Sequence, residues 1–142
     1  MRQKTIITMV AIALLQLTLA ACGGGAGTSG SEKAIKSTQS GNLTITLASS
    51  DGQLKSGEND LLLSFTDTSG KPVDAGAVSL KFHMPAMGSM AEMNDTASLT
   101  TTNTPGKYRA KVDIEVDGTW GAMISYQGPQ GTGQASMTVQ AK

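Results

Sequence analysis

Four methionines and the only histidine of the chain lie within eleven consecutive residues. The segment reads HMPAMGSMAEM, and the residues in it that could bind a metal are His83, Met84, Met87, Met90 and Met93. Thioether sulfur is a soft ligand that favours Cu(I), and imidazole nitrogen binds copper in either oxidation state. A Met/His set can hold Cu(I) without a thiol, so the segment predicts a copper site built from these five residues.

Two other interpretations of this segment stay open. Methionine is an adaptable core residue, so Met84 and Met87 could instead plug the open end of the fold. The loop could also be a hydrophobic surface that docks on another protein. The polar residues Ser89, Glu92 and Asn94 dilute the segment, so core packing alone does not account for four methionines here.

Most of the remaining sequence alternates apolar and polar residues with a period of two, which is typical of strands with one face in water. The clearest runs are 43–47, 61–66, 78–82, 108–116, 120–126 and 135–139, with a weaker one at 96–102. For residues 42–142 we therefore expect an all-β fold, an immunoglobulin-like antiparallel β-sandwich of about seven strands. A small Greek-key barrel is the alternative.

The strand pattern also places several single residues. His83 follows an inward-facing Phe82 and is expected on the solvent face, and Pro85 ends strand pairing just beyond it. Trp120 is expected in the core, with a cation–π cap over Cu(I) as the alternative. Met123 is expected on the solvent face as a further ligand or a partner contact. Asp117-Gly118 predicts a tight hairpin between two strands.

The first 22 residues resemble a bacterial lipoprotein signal. Arg2 and Lys4 precede an apolar run, 6–19, that is shorter than a membrane-spanning helix. Leu-Ala-Ala-Cys at 19–22 is similar to the lipobox, which implies cleavage after residue 21 and palmitate-type acylation of Cys22. We therefore expect a signal peptide at 1–21, a lipidated Cys22 with a flexible Gly/Ser-rich tether at 22–41, and a folded domain at 42–142. The expected location is extracytoplasmic, in the periplasm or at the cell surface, anchored to the cell membrane or the outer membrane.

The residue inventory argues against an enzyme and against nucleic-acid binding. His83 is the only histidine, and once Cys22 is acylated no thiol remains, so a Cys-His pair is excluded. No glycine-rich nucleotide loop lies between a strand and a helix. Without Arg2 and Lys4 the chain carries nine basic and eleven acidic side chains, a formal charge of −2, so it lacks a basic surface for nucleic acid. We expect a binding protein.

Several motifs together resemble the YtkA-like, FixH-related family of extracytoplasmic domains. They are the loop HMPAMGSM, Pro105-Gly106 with Tyr108, and Gly118 with Trp120, within a match over about 42–140. The resemblance implies an immunoglobulin-like sandwich and a link to copper handling and cytochrome oxidase assembly. Many members carry a histidine where this chain has Ser89, so a site here must use His83 and the methionines.

These observations predict a membrane-anchored lipoprotein whose Cu(I)-binding Met/His loop serves metal delivery or tolerance. Its expected partners are the membrane, through the lipid anchor, and a copper-handling or oxidase-assembly membrane protein. The alternative is a non-metal interaction module that docks on a membrane-protein partner such as an oxidase assembly or efflux complex.

Overall fold

The computed structural model describes residues 31–142, which form strands and no helix. Within this range no helix is long and apolar enough to cross a membrane. The predicted signal peptide, Cys22 and the predicted tether up to residue 30 lie outside the described residues. The described strands are β1 (Lys33–Ser40), β2 (Leu43–Ser49), β3 (Gly57–Thr66), β4 (Ala77–Met84), β5 (Met93–Thr96), β6 (Ser98–Thr101), β7 (Lys107–Ile114), β8 (Gly118–Gly128) and β9 (Gly131–Ala141).

The strands form two antiparallel sheets that pack as a sandwich, which confirms the predicted fold class. The five-stranded sheet has the order β1-β2-β3-β7-β6, and the four-stranded sheet has the order β5-β4-β8-β9. Alternate residues of each strand face the other sheet because side chains alternate along a strand. The largest buried side chains are Trp120, Phe65 and Phe82. The Phe65 ring meets Tyr108 and Tyr126 edge-on, at centroid distances of 5.8 and 5.6 Å.

Strand β1 corrects the predicted extent of the tether, because residues 33–40 pair with β2. Two contacts explain why this polar segment is ordered. Ile35 packs against the core, and Arg109 Nη1 donates to Glu32 Oε1 at 2.7 Å. The folded domain therefore begins near Glu32 rather than at residue 42.

The predicted hairpin at Asp117-Gly118 is wrong, because the strands on either side of it belong to different sheets. Strand β7 pairs with β3 and β6, whereas β8 pairs with β4 and β9. The connection crosses from one sheet to the other, and Gly118 has a φ of 139°. Trp120 Nε1 donates to Val116 O at 3.1 Å, which fixes the crossing against the core.

The described residues contain nine strands rather than about seven. One extra strand is β1. The other is β5, which overlaps the weak run at 96–102 only at Thr96 and lies mainly in the methionine-rich segment; β5 pairs with β4, and β6 pairs with β7. Ala97 between them is buried, and its N–H donates to Leu80 O at 3.0 Å.

Candidate metal centre

The methionine-rich segment forms a hairpin that continues the pairing of β4 with β5. His83 pairs with Asn94 and Met84 with Met93, and Met87 pairs with Met90 in the same register. Met87 N donates to Met90 O at 3.1 Å, and Met90 N donates to Met87 O at 2.9 Å. Gly88 in the turn has a φ of 56°, which glycine adopts without strain. We call residues 83–94 the methionine hairpin.

Two of the four methionines face the core. Met84 is only 4% exposed and belongs to the core. Met93, directly opposite on β5, is partly buried and packs against the same core. A Cβ added to Gly118 would lie 2.8 Å from Met84 Cε, so the Met84 methyl group fills the space that this glycine leaves. The structural-plug interpretation, which named Met84 and Met87, therefore matches the structure at Met84 and is wrong at Met87, whose side chain is 62% exposed.

The other two methionines, Met87 and Met90, are exposed. Their side chains are 62% and 42% exposed. Residues that exchange backbone hydrogen bonds across an antiparallel pair have Cβ atoms about 5.5 Å apart on one face. The two side chains therefore start from neighbouring positions on one face, and both reach solvent. Core packing does not account for them, because a methionine left exposed forgoes roughly 1.5–3 kcal/mol of burial free energy.

The His83 ring is held by polar neighbours on the hairpin. Its Nδ1 lies 2.9 Å from Asn94 Oδ1, and Asn94 Nδ2 donates to Glu92 Oε1 at 3.0 Å. A hydrogen bond from Nδ1 to Asn94 Oδ1 requires the tautomer with its hydrogen on Nδ1, and in that tautomer the lone pair is on Nε2. A histidine that binds a metal through one ring nitrogen usually donates a hydrogen bond from the other nitrogen, and this bond fixes the orientation of the ring.

The register and burial of the methionine hairpin separate the five predicted ligands. On the ladder of β4 with β5, His83 lies on the outer face, and Met84 and Met93 lie on the inner one. Met87 and Met90 lie beyond residues 85–86 and 91–92, which are outside the strands, and both side chains are exposed. His83 is four residues from Met87, about 13 Å along an extended chain. The paired thioethers are thus the centre of the candidate site, and the imidazole lies at its margin.

Among residues 31–142 no group of three or more His, Cys, Asp or Glu side chains could hold a metal ion. These four residue types offer nitrogen, thiolate and carboxylate ligands, whereas methionine offers thioether sulfur. The candidate centre described here is made of methionine sulfur with one imidazole.

A family model described as YtkA-like matches residues 37–125. The chain belongs to the YtkA-like family. The match runs from within β1 to within β8 and includes the whole methionine hairpin, so the resemblance expected from the sequence motifs is confirmed. Comparisons with curated proteins and with solved structures gave no match.

Two further predicted residues of this YtkA-like domain lie where the alternation placed them. Met123 is 46% exposed on the outer face of β8, opposite Lys81. Trp120 is fully buried, so its ring is not presented at the surface beside the exposed thioethers. The predicted core position of Trp120 is confirmed.

The sequence analysis missed the roles of Asn94 and Glu92 in this YtkA-like domain. Both were interpreted only as polar residues that dilute the methionine segment. Their positions relative to His83 depend on the hairpin register, which the structure supplies. The regular three-residue spacing of the methionines gave no signal of that register, because a three-residue step alternates between the two faces of a strand.

Proposed function

We propose that this YtkA-like protein is a membrane-anchored lipoprotein whose methionine hairpin binds Cu(I) for delivery or tolerance. The observation that carries the proposal is that Met87 and Met90 are directly opposed in the hairpin and both have exposed side chains. Soft sulfur ligands favour Cu(I) over harder ions. Their exposure leaves room for a partner's ligands to approach the ion, as copper transfer requires.

A Cu(I) titration of the mature chain tests this proposal. The chain should carry Cys22→Ser so that no thiol competes for the metal. We expect about one Cu(I) per chain and much weaker binding of Zn(II), because thioethers are poor zinc ligands. His83→Ala should weaken Cu(I) binding without abolishing it, since the thioether pair remains. Zn(II) binding equal to that of Cu(I), or no Cu(I) affinity above that of a generic methionine peptide, would contradict the proposal.

Acid sensitivity gives a second measurement on the same samples. Thioether sulfur is not protonated, whereas imidazole must be neutral to bind a metal. Cu(I) affinity that comes from the thioether pair should therefore persist at mildly acidic pH.

The proposed lipid anchor is tested separately, in the bacterium that makes the protein. Cys22→Ser should block uptake of labelled fatty acid and leave an uncleaved or mislocalised precursor, because Cys22 is the only cysteine to which a thioether-linked lipid can be attached. Ser89→Ala is a matched control outside the signal region and should be acylated like wild type. A Cys22→Ser protein that is still acylated, processed and membrane-bound would show that the lipoprotein assignment is wrong.

The second candidate function is a docking module without metal. The same exposed Met87 and Met90 favour it, because flexible methionine side chains adapt to varied partner surfaces. Leucine in place of both residues would keep an apolar docking surface but remove the sulfur, so one double variant separates the two functions.

A further inference from the structure

The six methionines of the described residues differ sharply in their exposure to solvent. Met84 and Met137 are buried, and Met93 is partly buried. The exposed large hydrophobic side chains of the described residues are all methionines: Met87, Met90 and Met123. Oxidation of a thioether requires an oxidant to reach the sulfur, so access divides the methionines into a reactive set and a protected set.

The oxidation step is chemically simple. Hydrogen peroxide transfers one oxygen atom to the sulfur, which loses two electrons and becomes a sulfoxide, while the O–O bond breaks and water leaves. The product presents a hard oxygen in place of a soft thioether lone pair, and Cu(I) prefers the soft ligand. Oxidation at Met87 and Met90 would therefore remove the soft sulfur lone pairs that suit these two residues to Cu(I).

The fold tolerates this change at Met87 and Met90. Both side chains are exposed, and the two hydrogen bonds that close their turn join backbone atoms only. A polar sulfoxide there displaces no core contact. Met84 is different, because its methyl group fills the space beside Gly118 and a sulfoxide would put a polar group into the core.

We propose that Met87 and Met90 form a reversible oxidation site at which peroxide converts the metal-free thioethers to sulfoxides, so that Cu(I), once dissociated, cannot rebind. Reduction of the sulfoxides by enzymes of the methionine sulfoxide reductase class restores the site. This inference rests on the proposed Cu(I) site. The buried methionines keep the domain folded through the cycle, so oxidation acts as a switch rather than as damage.

Limited peroxide treatment of the metal-free mature chain with Cys22→Ser tests the inference, with peptide mass spectrometry as the readout. Met87, Met90 and Met123 should be oxidised well before Met84, Met93 and Met137. Ag(I), a soft cation that does not undergo the redox chemistry of copper, should slow oxidation of Met87 and Met90 by about tenfold or more. Met123 is an internal control: its exposure is similar to that of Met90, and Ag(I) should leave its oxidation rate unchanged.

The functional readout is Cu(I) affinity before oxidation, after oxidation, and after treatment with both stereospecific reductases. Affinity should fall at least about tenfold on oxidation and return on reduction, while the far-UV spectrum and thermal midpoint stay constant. Met123→Leu should show the same loss and recovery, which assigns the effect to the hairpin pair.

Two outcomes would overturn the inference. One is an oxidised protein that keeps its Cu(I) affinity. The other is oxidation of Met84 in step with Met87, accompanied by loss of the folded spectrum. An untreated protein without Cu(I) affinity would contradict the proposed function and this inference with it, and that failure is recognised before any peroxide is added.

Discussion

Replacing Met87 and Met90 together with leucine is expected to abolish Cu(I) binding and to leave the thermal midpoint of unfolding unchanged. Leucine matches methionine in bulk and apolarity but has no sulfur. Both side chains are exposed, so the substitution removes the ligand atoms without touching the core. Competition for Cu(I) with a chromophoric chelator measures the loss, and thermal unfolding followed by circular dichroism checks the fold.

Met123→Leu is the matched control for this variant. It makes the same chemical change at a comparably exposed methionine outside the hairpin turn, and it should bind Cu(I) like wild type. The double variant Met84→Leu with Met93→Leu tests the two methionines that face the core. It should retain most of the Cu(I) affinity, and each substitution should lower the free energy of unfolding by less than ~1.5 kcal/mol. Wild-type Cu(I) binding by the Met87/Met90 double variant would place the site elsewhere. If neither wild type nor variant binds Cu(I), the docking-module function is favoured instead.

Trp120→Ala is expected to reduce the free energy of unfolding by about 3–5 kcal/mol, the range for removing a large aromatic side chain from a core. Trp120 is fully buried between the sheets. Its Nε1 also donates to Val116 O at 3.1 Å, so the substitution leaves a cavity and removes the partner of a carbonyl at the crossing between sheets. Urea unfolding of the mature chain measures the change.

Met123→Ala is the control for stability, and it should change the free energy of unfolding by no more than about 0.5 kcal/mol because its side chain is exposed. Trp120→Phe separates packing from metal binding. It keeps most of the buried area, loses the indole N–H and should leave Cu(I) affinity unchanged. A large loss of Cu(I) affinity in a folded Trp120→Phe protein would revive the interpretation in which the indole caps the ion.

The sequence predicted the faces of strands much better than their connections. Alternation placed Trp120 inside and Met123 outside, and the structure agrees. That signal is local, because a period of two specifies which side chains are buried without naming the partner strand. The Asp117-Gly118 turn shows the limit: the dipeptide fits a hairpin, but the choice between pairing β8 with β7 and crossing to the other sheet depends on long-range packing.

The sequence also did not reveal that residues 33–40, predicted to belong to the tether, form a strand. Residues 33–40 are polar apart from a few small or aliphatic side chains, since β1 is an edge strand with little burial. Its pairing with β2 is local, because only residues 41–42 connect the two strands, whereas the contact of Glu32 with Arg109 joins residues 77 apart in sequence. The arrangement of the candidate site was likewise not predictable from the sequence. The five predicted ligands lie on one hairpin, and its register together with burial separates Met84 and Met93 from Met87 and Met90.

Strand β1 also sets how far the domain can travel from its proposed lipid. Ten residues lead from Cys22 to Glu32, where the fold now begins, a span of at most ~36 Å, against ~72 Å for a tether that ran to Asn42. For a flexible chain the effective concentration falls roughly as the −3/2 power of its length, so halving the length of the proposed tether would raise the effective concentration of the methionine hairpin at a partner in the same membrane about threefold. By pairing residues 33–40 with β2, the protein would raise its encounter frequency with such a partner if the proposed lipid anchor is in place.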